Sequence, residues 1–111
     1  MVIATRMLAF RNGNENLNVA VRIFAPEQEK PRAWSCAYEI DWPDGTRKFA
    51  AHGVDAVQAI ELALRMIGSE IYTSDYHQSK SLMWEKPGQG YGFPVPISLR
   101  DRLVGDDAKF F

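Results

Sequence analysis

The chain offers few residues of the types that do chemistry. Its one cysteine, Cys36, and its two histidines, His52 and His77, come first. A thiol becomes a nucleophile when a neighbouring base or cation lowers its pKa. Cys36 stands between Trp34 and Tyr38 on the apolar side of an alternating run, the setting of a small core hydrophobe. The two histidines are 25 residues apart and fit no metal spacing such as His-Glu-x-x-His. A ligand set could be drawn from His52, His77, Asp55 and Asp75, but nothing in their spacing asks for it, and no metal is expected. Glu39, Asp41 and Asp44 supply carboxylates. Asp44 belongs to a turn, and Glu39 and Asp41 alternate onto the solvated side of a strand. Paired catalytic acids need a cleft to separate their pKa values. Gly88-Gln-Gly90-Tyr-Gly92 has the outline of a phosphate loop, yet no Lys-Ser/Thr follows it and no strongly patterned helix opens after it. These residues name no catalytic group and imply no cofactor.

Aromatic side chains give a positional expectation. The segment 72–96 is long for a connection, and it carries Tyr72, Tyr76, His77, Trp84, Tyr91 and Phe93. Large rings are over-represented where proteins bind. Pro87 to Pro96 holds three glycines and three prolines, so no helix buries its rings automatically. Trp84, Tyr91 and Phe93 are therefore the expected interaction residues. The competing reading makes them a cover over the end of a sheet.

The elements that position these residues follow from periodicity. Residues 3–10 read as a first strand, with an alternation blurred by Ala4 and Ala9, and Asn12-Gly13 suits a hairpin turn. In residues 17–25, Leu17, Val19, Val21 and Ile23 share one face, until Pro26 removes a ladder donor. Residues 27–31 read as a solvated loop. Trp34, Cys36, Tyr38, Ile40 and Trp42 alternate with small or acidic residues, and Pro43-Asp44-Gly45 turns the chain into a fourth strand over 46–52, with Phe49 and Ala51 inward. Asp55 and Gln58 form a capping box, and Val57, Ile60, Leu64, Ile67 and Ile71 mark a helix to about Tyr72, widened by Ala56, Ala59 and Ala63. Gly68 is expected to cost that helix about 1 kcal/mol relative to Ala. Residues 82–84 offer a short fifth strand, 98–104 a turn or two of helix, and 105–111 a frayed tail. The expected fold is α+β: an antiparallel β-meander of four strands, or five, packed against one long α-helix, as a single domain over 1–111.

Composition excludes several classes. The chain has 111 residues, of which 46% are hydrophobic and 24% charged, an ordinary globular balance. Thirteen Lys and Arg face fourteen Asp and Glu, and the basic spots, Arg47-Lys48 and Arg100/Arg102, are only pairs. Nucleic-acid binding leans on a basic stripe that displaces counterions, and none is visible. No apolar run approaches a membrane span or a signal peptide. The expectation is no nucleic acid, no membrane and a cytoplasmic location.

With the elements placed, the chain resembles a family of small uncharacterised bacterial proteins, classed as a domain of unknown function. The resembling stretches are Ile3-Ala-Thr-Arg, Val19-Ala-Val-Arg-Ile-Phe-Ala-Pro-Glu, Trp34-Ser-Cys-Ala-Tyr-Glu-Ile-Asp, Gly53-Val-Asp-Ala-Val-Gln-Ala and Gly92-Phe-Pro. The resemblance implies a bacterial, cytoplasmic protein and supplies no activity, ligand or catalytic residue. The leading functional expectation is a non-enzymatic module that binds another protein, such as a small regulator or an immunity-like protein. One alternative is a small-molecule-binding protein or enzyme with its site between the sheet and the 72–96 loop. Another is a structural homo-oligomer. A pocket with convergent polar groups favours the small-molecule reading, and a flat apolar patch favours the protein-binding one.

Overall fold

Alternating side chains in four stretches build an antiparallel sheet, and one 3.6-residue stripe builds the helix that lies on it. The computed structural model describes residues 1–111. Its strands are β1 (Val2–Asn12), β2 (Glu15–Phe24), β3 (Glu27–Lys30), β4 (Ala33–Trp42), β5 (Gly45–Gly53) and β6 (Leu82–Met83). Its helices are α1 (Ala56–Tyr72), α2 (Asp75–Gln78) and α3 (Gly105–Phe110), with a 3₁₀ turn at Ile97–Arg102. All strand pairs are antiparallel. The fold is α+β, a meander in which β1 pairs β2, β2 pairs β4 and β4 pairs β5, while β6 caps the outer edge of β1 at Ala9 and Phe10.

Residues 27–30 are strand rather than loop. They pair with the N-terminal half of β4, from Glu27 opposite Ser35 to Lys30 opposite Ala33. Because β5 occupies the other edge of β4 along its whole length, β3 continues the line of β2 beyond the break at Pro26. All four of its side chains are exposed, so no apolar alternation marked it.

One side of the sheet carries the core: Leu8, Phe10, Val19, Val21, Ile23, Cys36, Tyr38, Ile40 and Ala51. Phe49 pairs with Tyr38 across β4–β5 and its ring lies 6.4 Å from that of Tyr38, yet it is 49% exposed, because β5 is an edge strand. Helix α1 begins as its sequence dictates. Asp55 accepts from the Gln58 backbone N–H and the Gln58 side chain accepts from Val54 N–H, each at 2.8 Å.

The buried stripe of α1 is turned from the expected one. Ala59, Ala63, Ile67 and Ile71 face the sheet, Ile60 and Leu64 are partly buried, and Val57 is 72% exposed. The reason is a second covering element. Residues 84–96 form a strap that meets the C-terminal half of α1 at Pro94 and Val95, where Arg65 donates to the Val95 carbonyl at 3.1 Å. Val57 lies ahead of the strap on the same flank, where nothing covers it. Gly68 is a requirement of this contact: a Cβ there would meet the Pro94 carbonyl oxygen at 1.9 Å. No helix is long and apolar enough to cross a membrane.

Candidate functional site

The strap is tied down by a residue from the other end of the chain. Arg6 on β1 donates to the carbonyls of Tyr91 (3.1 Å) and Gly92 (2.9 Å). Its guanidinium lies 4.0 Å from the centre of the Trp84 ring and 4.9 Å from that of Phe93, in cation–π geometry. Tyr91 and Phe93 are buried, at 4% and 3% exposure, and Trp84 is half-buried under Arg6. Of the three rings singled out by sequence, two therefore belong to the interior of this chain. Glycines and prolines do preclude a regular element here, but burial comes from contacts 85 and 86 residues away.

The glycine loop holds an oxyanion after all, and the oxyanion is the protein's own. Asp107, 2% exposed, accepts from the backbone N–H groups of Tyr91 and Gly92, both at 2.8 Å, and from the Tyr72 hydroxyl at 2.5 Å. Successive N–H groups wound through positive-φ positions make such an anion nest. Gly90, at φ +89°, passes so close that a Cβ would stand 2.4 Å from the carboxyl carbon of Asp107. The 105–111 tail is thus not frayed. It forms α3, whose carboxylate pins the strap to the end of α1.

Beside this anchor opens a cleft of about 1040 Å³, between the β1–β6 edge, the α1–α2 corner, the glycine loop and the 3₁₀ turn. Tyr72, Tyr91, Leu82 and Val104 contribute apolar surface. Arg11 from β1, Lys80 from the turn after α2 and Arg102 from the 3₁₀ turn bring three cations to it, and no Asp or Glu lines it. None of the three takes part in a salt bridge, although Arg11 donates to the Asn16 side chain at 2.8 Å. The nearby carboxylate of Asp107 lies buried behind the lining, engaged by its three donors.

His77 is the titratable group of the cleft. Its ring packs edge-on against Tyr72 and Tyr91, with centroids 4.8 and 5.5 Å away. Nδ1 lies 2.6 Å from the Tyr91 hydroxyl, which is also 3.3 Å from the Leu82 carbonyl oxygen. Burial pushes the Tyr91 hydroxyl up to about 12, helped by Asp107, so the phenol stays protonated at neutral pH. Burial also pulls His77 below its ordinary value, against the opposing pull of Asp107. The Tyr91 hydroxyl gives its one hydrogen to the Leu82 carbonyl, so the 2.6 Å contact is met by donation from Nδ1–H, and Nε2 is left as an acceptor with no hydrogen bond within the chain.

Lys80 is held in an unusual backbone. It follows α2 at the position where a Schellman motif places a left-handed residue, normally glycine. Lys80 N–H donates to the His77 carbonyl and Ser81 N–H to the Tyr76 carbonyl, each at 3.0 Å, and Lys80 has φ +62°. For a residue with a Cβ this conformation costs roughly 1–2 kcal/mol.

The other chemistry-bearing residues lie elsewhere. The Cys36 thiol is fully buried, donates to the Phe24 carbonyl at 3.4 Å and is pushed up by burial. His52 is exposed on β5. Glu39 and Asp41 share Arg22 on the open side of the sheet, and hydrogen bonds from Arg22 and then Thr46 hold the Asp41 carboxyl below its usual range. Asp44 accepts from the Tyr76 hydroxyl at 3.0 Å. No three of the His, Cys, Asp and Glu residues are gathered into a group able to hold a metal ion. Sequence reasoning missed Arg11, Lys80, Arg102 and Asp107. None of them belongs to a motif, Arg102 being read only as one of a basic pair with Arg100, and only the folded chain brings them to one place.

No curated protein and no solved structure matches the chain. A family model does, over residues 4–95, which takes in the sheet, α1, the clamp on Arg6 and the glycine loop but leaves Arg102 and Asp107 outside. On that match, the chain belongs to the family described as a domain of unknown function, DUF6968.

Proposed function

We propose that this protein binds a small organic anion in the cleft beside the glycine loop. One observation carries the reading: Arg11, Lys80 and Arg102 converge on a concave space that has no acidic lining residue. Unpaired cations around a cleft raise the local potential and favour anionic ligands. The volume, about 1040 Å³, is at the upper end of small-ligand sites. The convergence of cations supports the small-molecule reading over the protein-binding one. A bacterial, cytoplasmic setting belongs to the same proposal, since small anionic metabolites are abundant there.

Calorimetric titration at constant ionic strength tests it, with inorganic phosphate, pyrophosphate, citrate and adenosine monophosphate as probes. At least one should bind with saturation, and the double variant Arg11→Ala/Arg102→Ala should lose that binding while melting within a few degrees of the parent. A ligand at about 100 times its Kd adds about 2.7 kcal/mol of stability, so a thermal shift of several degrees should accompany binding. Absence of binding for all four probes, or equal binding by the double variant, would remove the cleft from consideration.

A further inference from the structure

We infer that Lys80 is the ligand-gripping residue of the cleft and that its ligand is a multivalent oxyanion, carrying two or more negative charges. The inference rests on the anion-cleft reading and sharpens it. Lys80 occupies a left-handed position at φ +62° in which both Schellman hydrogen bonds are already made by backbone atoms. Its side chain contributes nothing to them. Its ammonium has no carboxylate partner. Glycine would fit this position with less strain; Arg32 and Glu85 show that the chain carries such strain elsewhere, so the backbone alone gives no reason for lysine rather than another residue. The cleft does give one: Lys80 is one of the three cations lining it.

The ligand's charge follows from that count. A singly charged carboxylate would leave two of the three cations without a counter-charge, with no acidic lining residue to supply it. A phosphomonoester, a diphosphate or a di- or tricarboxylate matches the set better. Arginine forks suit planar or tetrahedral oxyanions in two-point contact, and a lysine adds a mobile point charge. These ligand types share one chemistry, and pyrophosphate and citrate separate them.

The chain also holds its own control. Arg32 has the same left-handed backbone, φ +63°, at the turn between β3 and β4, and it does not line the cleft. Lys80→Gly and Arg32→Gly each remove one positive charge and one left-handed side chain. Both variants should melt higher than the parent, by about 4 °C or more, since the strain relieved is similar. Only Lys80→Gly should weaken binding of pyrophosphate or citrate, by roughly tenfold or more, because charged hydrogen bonds are lost at that site alone. Inorganic phosphate at the same pH should bind more weakly than the preferred multivalent probe.

The outcomes separate the two levels of the argument. If the parent binds a multivalent probe and Lys80→Gly binds it equally well, Lys80 is not the gripping residue, and the cleft reading survives. If Arg32→Gly weakens binding as much as Lys80→Gly, the effect is one of overall charge and the inference falls. If Lys80→Gly melts lower than the parent, the side chain has a structural purpose, which overturns the argument from strain. If no probe binds the parent, both readings fail together.

Discussion

Asp107 shows how much one buried carboxylate can organise. Two backbone N–H groups and one hydroxyl point at it, and none has another acceptor in the chain. Asp107→Ala should therefore cost at least about 3 kcal/mol in urea denaturation, since charged hydrogen bonds are lost and buried donors are stranded. Asp106→Ala, at the exposed neighbour, should stay within about 0.5 kcal/mol. His77 makes a prediction about pH. Its pKa is lowered in the folded state from the ordinary 6.5, by burial first. Between the folded and unfolded pKa values the unfolded chain binds more protons, so the His77 contribution is complete above pH 6.5 and declines as pH falls through the folded value. The parent should lose more melting temperature between pH 7 and pH 5 than His77→Gln does. Equal slopes for the two proteins would show that the ring is not buried in its neutral form. At this scale the sequence was legible where a residue answers to its neighbours in the chain, as Cys36 and Asp55 do. It was opaque where the partner is remote. Asp107 looked like a tail residue because its acceptor role exists only once the glycine loop reaches it.

Elements were read well when one face met one environment. β4 alternates cleanly at its centre because the sheet has one covered side and one open side, and β2 follows the same pattern except that Ala20 is also buried and Leu17, near the strand's start, is exposed. β3 escaped because both of its faces meet solvent, and α1 was read with its stripe displaced because two elements, sheet and strap, share the helix surface. Gly68 records that sharing. On helix propensity alone, Gly68→Ala should stabilise by about 1 kcal/mol. Against the Pro94 carbonyl it should instead destabilise, and a lower melting temperature for Gly68→Ala is the expected result. If that variant melts higher, the strap does not lie against α1. The rings of Tyr91 and Phe93 belong to the same lesson: a glycine- and proline-rich stretch reads as loop, yet its conformational freedom is what lets the chain wind both rings into the interior.

Across the whole molecule, near-neutral charge conceals a local convergence. The formal net charge is −1, and five of the thirteen cations (Arg22, Arg47, Lys48, Arg65 and Lys109) are matched by acids, while three of the unmatched ones, Arg11, Lys80 and Arg102, meet at one cleft. No count of charges along the chain exposes such a convergence, so the α+β architecture was legible in the sequence and the cleft was not. The Arg6 clamp has a consequence for folding order. It closes a loop of more than 80 residues, whose entropic cost is met only after the meander exists to hold β1 in place. The strap is then the last unit to dock and the first to leave. Native-state hydrogen exchange should show the Tyr91 and Gly92 amides opening with a smaller free energy than those of Val21 and Ile23 in the central strands. Arg6→Lys, which keeps the charge but loses the guanidinium fork, should lower the first value and leave the second nearly unchanged. The cleft wall would then breathe independently of the sheet, with the molecule otherwise intact.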